Sequence, residues 1–261
     1  MPHYAAAIGF IMGPFSFRAK REAWMDVASN SVTPTIKKFL YKAQGVALRG
    51  SIRKPFYQDL GQHAVVQTFA GSSGSSRSEN NNFSLPNFVH YAAAYSRIVA
   101  DVVGEAPNRQ FHTQVTAVVE GLNVLNGRIT ADRIVSSLTS IFDERLYPKE
   151  KVPRITPAGS RFDNLQIDKV PQNVPLPPAF SNDPAAFAQG IRDQEPLSPL
   201  ILAAPFHKDG LGTVYFAEWV WVHPDERKQQ ALVMLRLALG SDDGMAADVG
   251  LCISDGSGID P

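Results

Sequence analysis

The sequence predicts an all-β domain, mostly antiparallel, built as a two-sheet sandwich with an N-terminal arm and one or two short helices. Three stretches predict it. From Thr113 to Ile167, apolar residues recur with period two and are broken by Gly and Asn, as in strands joined by turns. From Gln230 the alternation returns, with Ala231, Val233, Leu235, Leu237 and Leu239 on one face and Gln230 and Arg236 on the other. Between them, TVYFAEWVWVH is apolar on both faces, as a covered central strand is. A β-solenoid is the alternative, but irregular strand spacing and a Pro-rich excursion between Pro171 and Pro199 argue against a regular repeat.

In order along the chain, residues 1–40 read as an arm, 41–241 as the β-domain and 242–261 as an acidic tail. Ile8, Phe10, Ile11, Phe15 and Phe17 make the arm apolar, while Gly9, Gly13 and Pro14 interrupt any helix. Such an arm suits addition to the open sheet edge of a neighbour, which makes these five residues candidate assembly contacts. Packing on its own domain is the competing reading. Ser31 or Thr33 with Pro34 suits a helix start, and Ile36, Phe39, Leu40 and Ala43 have helical spacing up to Gly45. Against that 34–44 helix stands a strand beginning near Phe39, because Val46, Leu48 and Ile52 continue it. Residues 71–87, GSSGSSRSENNNFSLPN, read as a polar loop; the Gly-Lys-Ser/Thr ending of a phosphate loop is missing. Further strands are expected over 63–70, 88–103, 111–120, 122–125, 129–141, 161–167, 199–206, 213–223, 229–239 and 248–254. One helical turn fits 184–191.

Composition bounds the function. Of 261 residues, 44% are hydrophobic and 19% charged, which suits a folded core rather than disorder. Charges balance at 25 against 25, so net charge gives no support for a nucleic-acid partner. Residues 1–60 carry nine Lys or Arg against three acids, whereas the tail carries Asp242, Asp243, Asp248, Asp255 and Asp260 without Lys or Arg. No run approaches the ~18 to 20 apolar residues of a transmembrane helix, and the start lacks the pattern of a secretory signal. The expectation is a cytoplasmic protein, or one exported by another route or after loss of a leader. Asn82-Phe83-Ser84 matches a glycosylation acceptor, relevant only on a secretory route.

No reactive constellation stands out, and no catalytic residue, cofactor or metal is assigned. His3, His63, His90, His112, His207 and His223 are scattered, and one cysteine does not complete a zinc set. His207, His223 and Asp209 flank the late hairpin, where surface histidines are the plainer reading. Cys252, between Leu251 and Ile253, reads as a buried thiol without a disulfide partner in the chain. Among Glu120, Asp132, Asp143, Glu144, Glu195 and Glu218, the last interrupts an apolar strand and calls for a cation, with Arg236 on the next strand as its expected partner. Asp132 beside Arg133 reads as a polar step in a strand. Trp219 and Trp221 are two apart and share a face, so with Glu218 they form a candidate ligand platform if exposed and core if covered.

Four segments carry a resemblance: YKAQGVALRGSIRKPF (Tyr41 to Phe56), VVEGLNVLNGRITADRIVSSLTS (Val118 to Ser140), GSRFDNLQI (Gly159 to Ile167) and LGTVYFAEWVWV (Leu211 to Val222). In this order the chain resembles uncharacterised bacterial β-rich proteins and is similar to choice-of-anchor surface-protein domains. The resemblance spans roughly residues 41 to 241, implies a β-rich fold and supplies no catalytic residues. The expected function is therefore a structural or self-associating protein, non-enzymatic, with itself as partner in a homo-oligomer or polymer. The alternatives are a carbohydrate-binding module or glycan-active enzyme, with a glycan as partner, and a membrane-perturbing toxin.

Overall fold

The computed structural model describes residues 38–52, 57–147, 149, 153–173, 200–201, 208–209, 212–215, 218–221, 230–239 and 245–254. In chain order its strands are β1 (Tyr41–Ile52), β2 (Gln58–His63), β3 (Val66–Ala70), β4 (Gly74–Leu85), β5 (Val89–Val103), β6 (Gln110–Val124), β7 (Ile129–Asp143), β8 (Arg154–Thr156), β9 (Arg161–Asp163), β10 (Gln166–Ile167), β11 (Val170–Pro171), β12 (Leu200–Ile201), β13 (Lys208–Asp209), β14 (Gly212–Tyr215), β15 (Glu218–Trp221), β16 (Gln230–Leu239) and β17 (Met245–Ser254). A single 3₁₀ turn, Glu144–Leu146, is the helical element among the described residues. No described helix is long and apolar enough to cross a membrane.

The strands form two antiparallel sheets. One is nine-stranded, in the order β12-β15-β16-β17-β1-β2, with β14 also on β16, β13 on β14 and β3 on β1. The other is eight-stranded, in the order β11-β10-β7-β6-β5-β4, with β8 and β9 also on β7. One apolar cluster joins them: Leu48 and Ile52 from β1, Val115 and Val119 from β6, Ile134 and Leu138 from β7, Leu232 from β16 and Val249 from β17 are all fully buried. Each such side chain contributes about 1.5–3 kcal/mol by leaving water, and facing inner layers of this kind make a β-sandwich. A second cluster closes one end, where Phe39 stacks on Phe111 at 4.4 Å beside Tyr41, Ala100 and Phe142.

Both sheets shift phase along one row. On β7 the inward residues are Ile129 and Ala131, then Ile134 and Leu138; on β5 they are Val89 and Tyr91, then Ala94 and Ile98. Paired positions skip Asn82, Ala92, Gly121 and Asp132 across β4 to β7. In the other sheet the pairing skips Ala47, Gly250 and Met234. Gly121 and Gly250 take φ of 64° and 68°, the left-handed region where a side chain is strained. They also sit where the backbone is crowded: a Cβ on Gly121 would lie 3.0 Å from that of Ala92, and one on Gly250 3.2 Å from that of Ser136. A phase shift brings consecutive apolar residues to the same side, so Met234 and Leu235 both join the core.

Several expectations change. The 34–44 helix gives way to the competing reading, with Phe39 bridged and β1 running from Tyr41. The polar loop 71–87 is in large part strand β4. Residues 111–120 and 122–125 are one strand interrupted by Gly121. The two-faced apolar run divides into β14 and β15, both paired to β16. On β16, Leu232, Val233, Met234, Leu235 and Leu237 are all buried, so the single apolar face expected from alternation does not hold through Met234. Met245–Ser254, within the segment read as an acidic tail, lies between β16 and β1. The helical turn at 184–191 lies outside the described residues.

Candidate functional site

Strand β4 is the most unusual surface element. Its sequence, GSSRSENNNFSL, has almost no apolar face to bury, and most of its 12 residues are exposed. It is held in place by the backbone ladder to β5, in register from Gly74 opposite Ala100 to Leu85 opposite Val89. Its other edge pairs with no strand among the described residues. Natural edges are usually kept short or carry Lys, Pro or a bulge that blocks a further strand. Between Gly74 and Asn81, β4 has no Lys, no Pro and no break in register. Its charges are Arg77 and Glu79, 3.0 Å apart and each 58% exposed. Arg77 faces Arg97 across the ladder, and its guanidinium lies 4.9 Å from the centre of the Tyr95 ring. At Asn82, φ of 56° ends the straight run.

A buried polar cluster clips this strand to the opposite sheet. His63, at the end of β2, lies 2.6 Å from the Leu60 carbonyl through Nε2 and 2.6 Å from the Tyr91 hydroxyl through Nδ1. A carbonyl only accepts, so the proton is assigned to Nε2 and Nδ1 accepts from Tyr91. The Asn80 amide reaches the same Nδ1 at 3.2 Å. Phe83 meets the His63 ring edge-on at 4.2 Å and stacks on Tyr91 at 5.4 Å. Burial pushes the Tyr91 phenol up to about 12. Both ring nitrogens are committed to protein partners, so the histidine positions β2, β4 and β5 and does not present a free base. Sequence reading missed this cluster because its members lie on different strands.

The candidate carboxylates are held in place by neighbouring groups. Glu144, with a side chain 1% exposed, accepts from Arg109 Nε at 2.8 Å and from a second guanidinium nitrogen at 2.7 Å. Asp143 accepts from the Arg145 side chain, the Arg145 backbone at 3.0 Å and Gln110 at 3.1 Å. The Arg145 hydrogen bonds hold its carboxyl down at about 2. Glu120 pairs with Arg133 at 3.4 Å, and Arg133 also donates to the Tyr95 hydroxyl at 2.6 Å. Asp132 accepts from Asn164 at 3.3 Å, and Asp248 holds Arg49 at 2.9 Å. Among the described residues, no three His, Cys, Asp or Glu side chains gather as a metal site.

Cys252 is fully buried, and desolvation pushes its thiol up to about 12; Sγ donates to the Ser136 carbonyl at 3.5 Å across the sandwich. Glu218, Trp219 and Trp221 lie on β15 opposite Val233, Leu232 and Gln230. Arg236 lies opposite Tyr215 and Asp248, so the register does not set it across from Glu218 as expected. Asp209 is on β13. Ile8, Phe10, Ile11, Phe15, Phe17, His3, Glu195, His207, His223, Asp242, Asp243, Asp255 and Asp260 lie outside the described residues.

No curated protein and no solved structure matches the chain. Residues 39–198 match a domain of unknown function, DUF8256. That span begins at Phe39, beside β1, and takes in the whole eight-stranded sheet. The chain belongs to the DUF8256 family.

Proposed function

We propose that the protein is a non-enzymatic structural domain that associates with copies of itself by strand addition or sheet packing. One observation carries this reading: the long, exposed edge of β4, which pairs with no further strand among the described residues and has no Lys or Pro between Gly74 and Asn81. Each backbone hydrogen bond formed there contributes about 0.5–1.5 kcal/mol net, because water already satisfies the free edge. Several in a row, with side chains matched across them, make strand addition a workable binding mode. The apolar arm with Ile8, Phe10, Ile11, Phe15 and Phe17 offers a second strand for the same mode, argued from sequence.

Size-exclusion chromatography with light scattering over a wide concentration range tests the proposal. The expected result is a mass that rises above the 28.5 kDa of one chain. A mass fixed at that value at every concentration overturns it. A chain starting at residue 31 separates the arm from the edge, since association through β4 survives that truncation.

A further inference from the structure

We infer that two copies pair their β4 edges antiparallel about a two-fold axis at Ser78, joining their eight-stranded sheets into one continuous sheet. The inference rests on the self-association reading above and names its surface and partner. A two-fold interface brings the same patch together from both copies, so the sequence must be complementary to itself when reversed. β4 meets that condition at one centre. With Ser78 opposite Ser78, Arg77 of each copy stands opposite Glu79 of the other, Ser76 opposite Asn80, and Ser75 opposite Asn81. Both ion pairs are made, and every other position matches small or polar groups. Shifting the centre by one residue, to Arg77 or to Glu79, sets a like-charged pair on the axis itself.

Backbone geometry selects the same centre. The straight part of β4 begins at Gly74 and ends at Asn82, where φ is 56°. Ser78 is the midpoint of that run, so the pairing uses the whole of it from Ser75 to Asn81.

Charge supplies a third argument. Within one copy, Arg77 faces Arg97 directly across the ladder to β5, where like charges repel, and Glu79 of its own strand, 3.0 Å away and exposed, offsets that only in part. The pairing gives Arg77 an opposite charge on its other side, in the order Arg97, Arg77, then the second copy's Glu79. The alternative occupant, a strand from an unrelated protein, has nothing in the chain to specify it.

Three measurements on the full chain test the inference. Arg77→Glu or Glu79→Arg alone turns both ion pairs into like-charge contacts and should weaken dimerisation by about tenfold or more. The double exchange R77E/E79R restores the pairs and should return the dissociation constant to near that of the parent. Ser78→Cys should give a disulfide-linked dimer under mild oxidation, because opposed residues on antiparallel strands lie about 4.5–5.5 Å apart between Cα atoms, within disulfide range. Cys252 is buried and does not compete. Loss of folding does not confuse the test. Glu at position 77 faces Arg97 within the same copy, so R77E should keep the fold, checked by circular dichroism, while losing association.

If the parent associates but neither single reversal weakens it, or if the double exchange does not restore it, the β4 inference falls and self-association stands. Absence of the Ser78→Cys dimer has the same meaning. If the parent is monomeric throughout, both fall.

Discussion

Glu144 keeps a carboxylate almost out of water, and what makes this tolerable is a two-pronged contact with Arg109 together with that residue's backbone. The Arg109 backbone donates to Glu144 Oε2 at 3.3 Å, and the Glu144 N–H donates to the Arg109 carbonyl at 2.9 Å. Removing the cation leaves a buried charge uncompensated, so Arg109→Ala should cost about 3–5 kcal/mol, read from urea unfolding. A loss below about 1 kcal/mol would mean that water replaces the guanidinium. Asp143 makes a pH prediction next door. Its folded value of about 2 lies below its ordinary 3.8, so its contribution is present above the unfolded value and is lost as pH falls through the folded one. The stability gap between the parent and Asp143→Asn should therefore be constant near neutrality and close between about pH 4 and pH 2. An unchanged gap at pH 2 would remove the arginine contact as its cause. At Cys252 the outcome was readable, because a thiol between Leu251 and Ile253 on an alternating strand has few places to go but the core. The His63 cluster was not readable: Tyr91 and Asn80 come to it from strands of the other sheet, and no local pattern records a hydrogen bond across a sandwich.

At the scale of elements, the two left-handed glycines decide where each sheet changes phase. Gly121→Ala puts a Cβ both in a backbone region costing about 1–2 kcal/mol and against Ala92. The expected result is a loss of about 2 kcal/mol or more in thermal or urea unfolding. A neutral outcome would mean that β6 resumes regular pairing without its phase shift. The same glycine explains what alternation reveals and what it hides. Period two located β5, β6 and β7, since each has one face in the core. It divided β6 in two at Gly121, because a phase shift looks like a turn when only the pattern is seen. It gave no sign of β4, whose side chains are mostly exposed on both faces from Gly74 to Asn82 and whose strand is held largely by backbone pairing. It also assigned Leu232 and Met234 to the outer face of β16, because the shift at Met234 comes from the break in pairing opposite Gly250, which lies on another strand.

Over the whole molecule, the chain's last described strand does the most to hold the sheet together. β17 pairs along its length with both β16 and β1, from Met245 opposite Leu239 and Ile52 to Ser254 opposite Gln230 and Ala43. Its Ala247, Val249 and Cys252 enter the shared core, and the Cys252 thiol reaches β7 of the other sheet. Charge composition reads the segment from residue 242 as a tail, while apolar alternation marks 248–254 as a strand. The second signal is the one that burial selects, because Asp248 is met by Arg49 at the strand's other face. The two readings make opposite forecasts for a chain ending at Gly240. If the segment were a tail, its loss would leave the domain intact. With β17 central, its loss separates β1, β2 and β3 from β12 to β16, exposes Leu48, Leu232 and Val249's former neighbours to water, and leaves two unpaired edges in the middle of the sandwich. Burial of several side chains at about 1.5–3 kcal/mol each is comparable with the 5–15 kcal/mol by which domains are usually stable. The truncated chain should therefore lack a cooperative unfolding transition and its amides should exchange rapidly with deuterium. A sharp transition in that chain, with β-type circular dichroism, would mean that the nine-stranded sheet holds without its central strand.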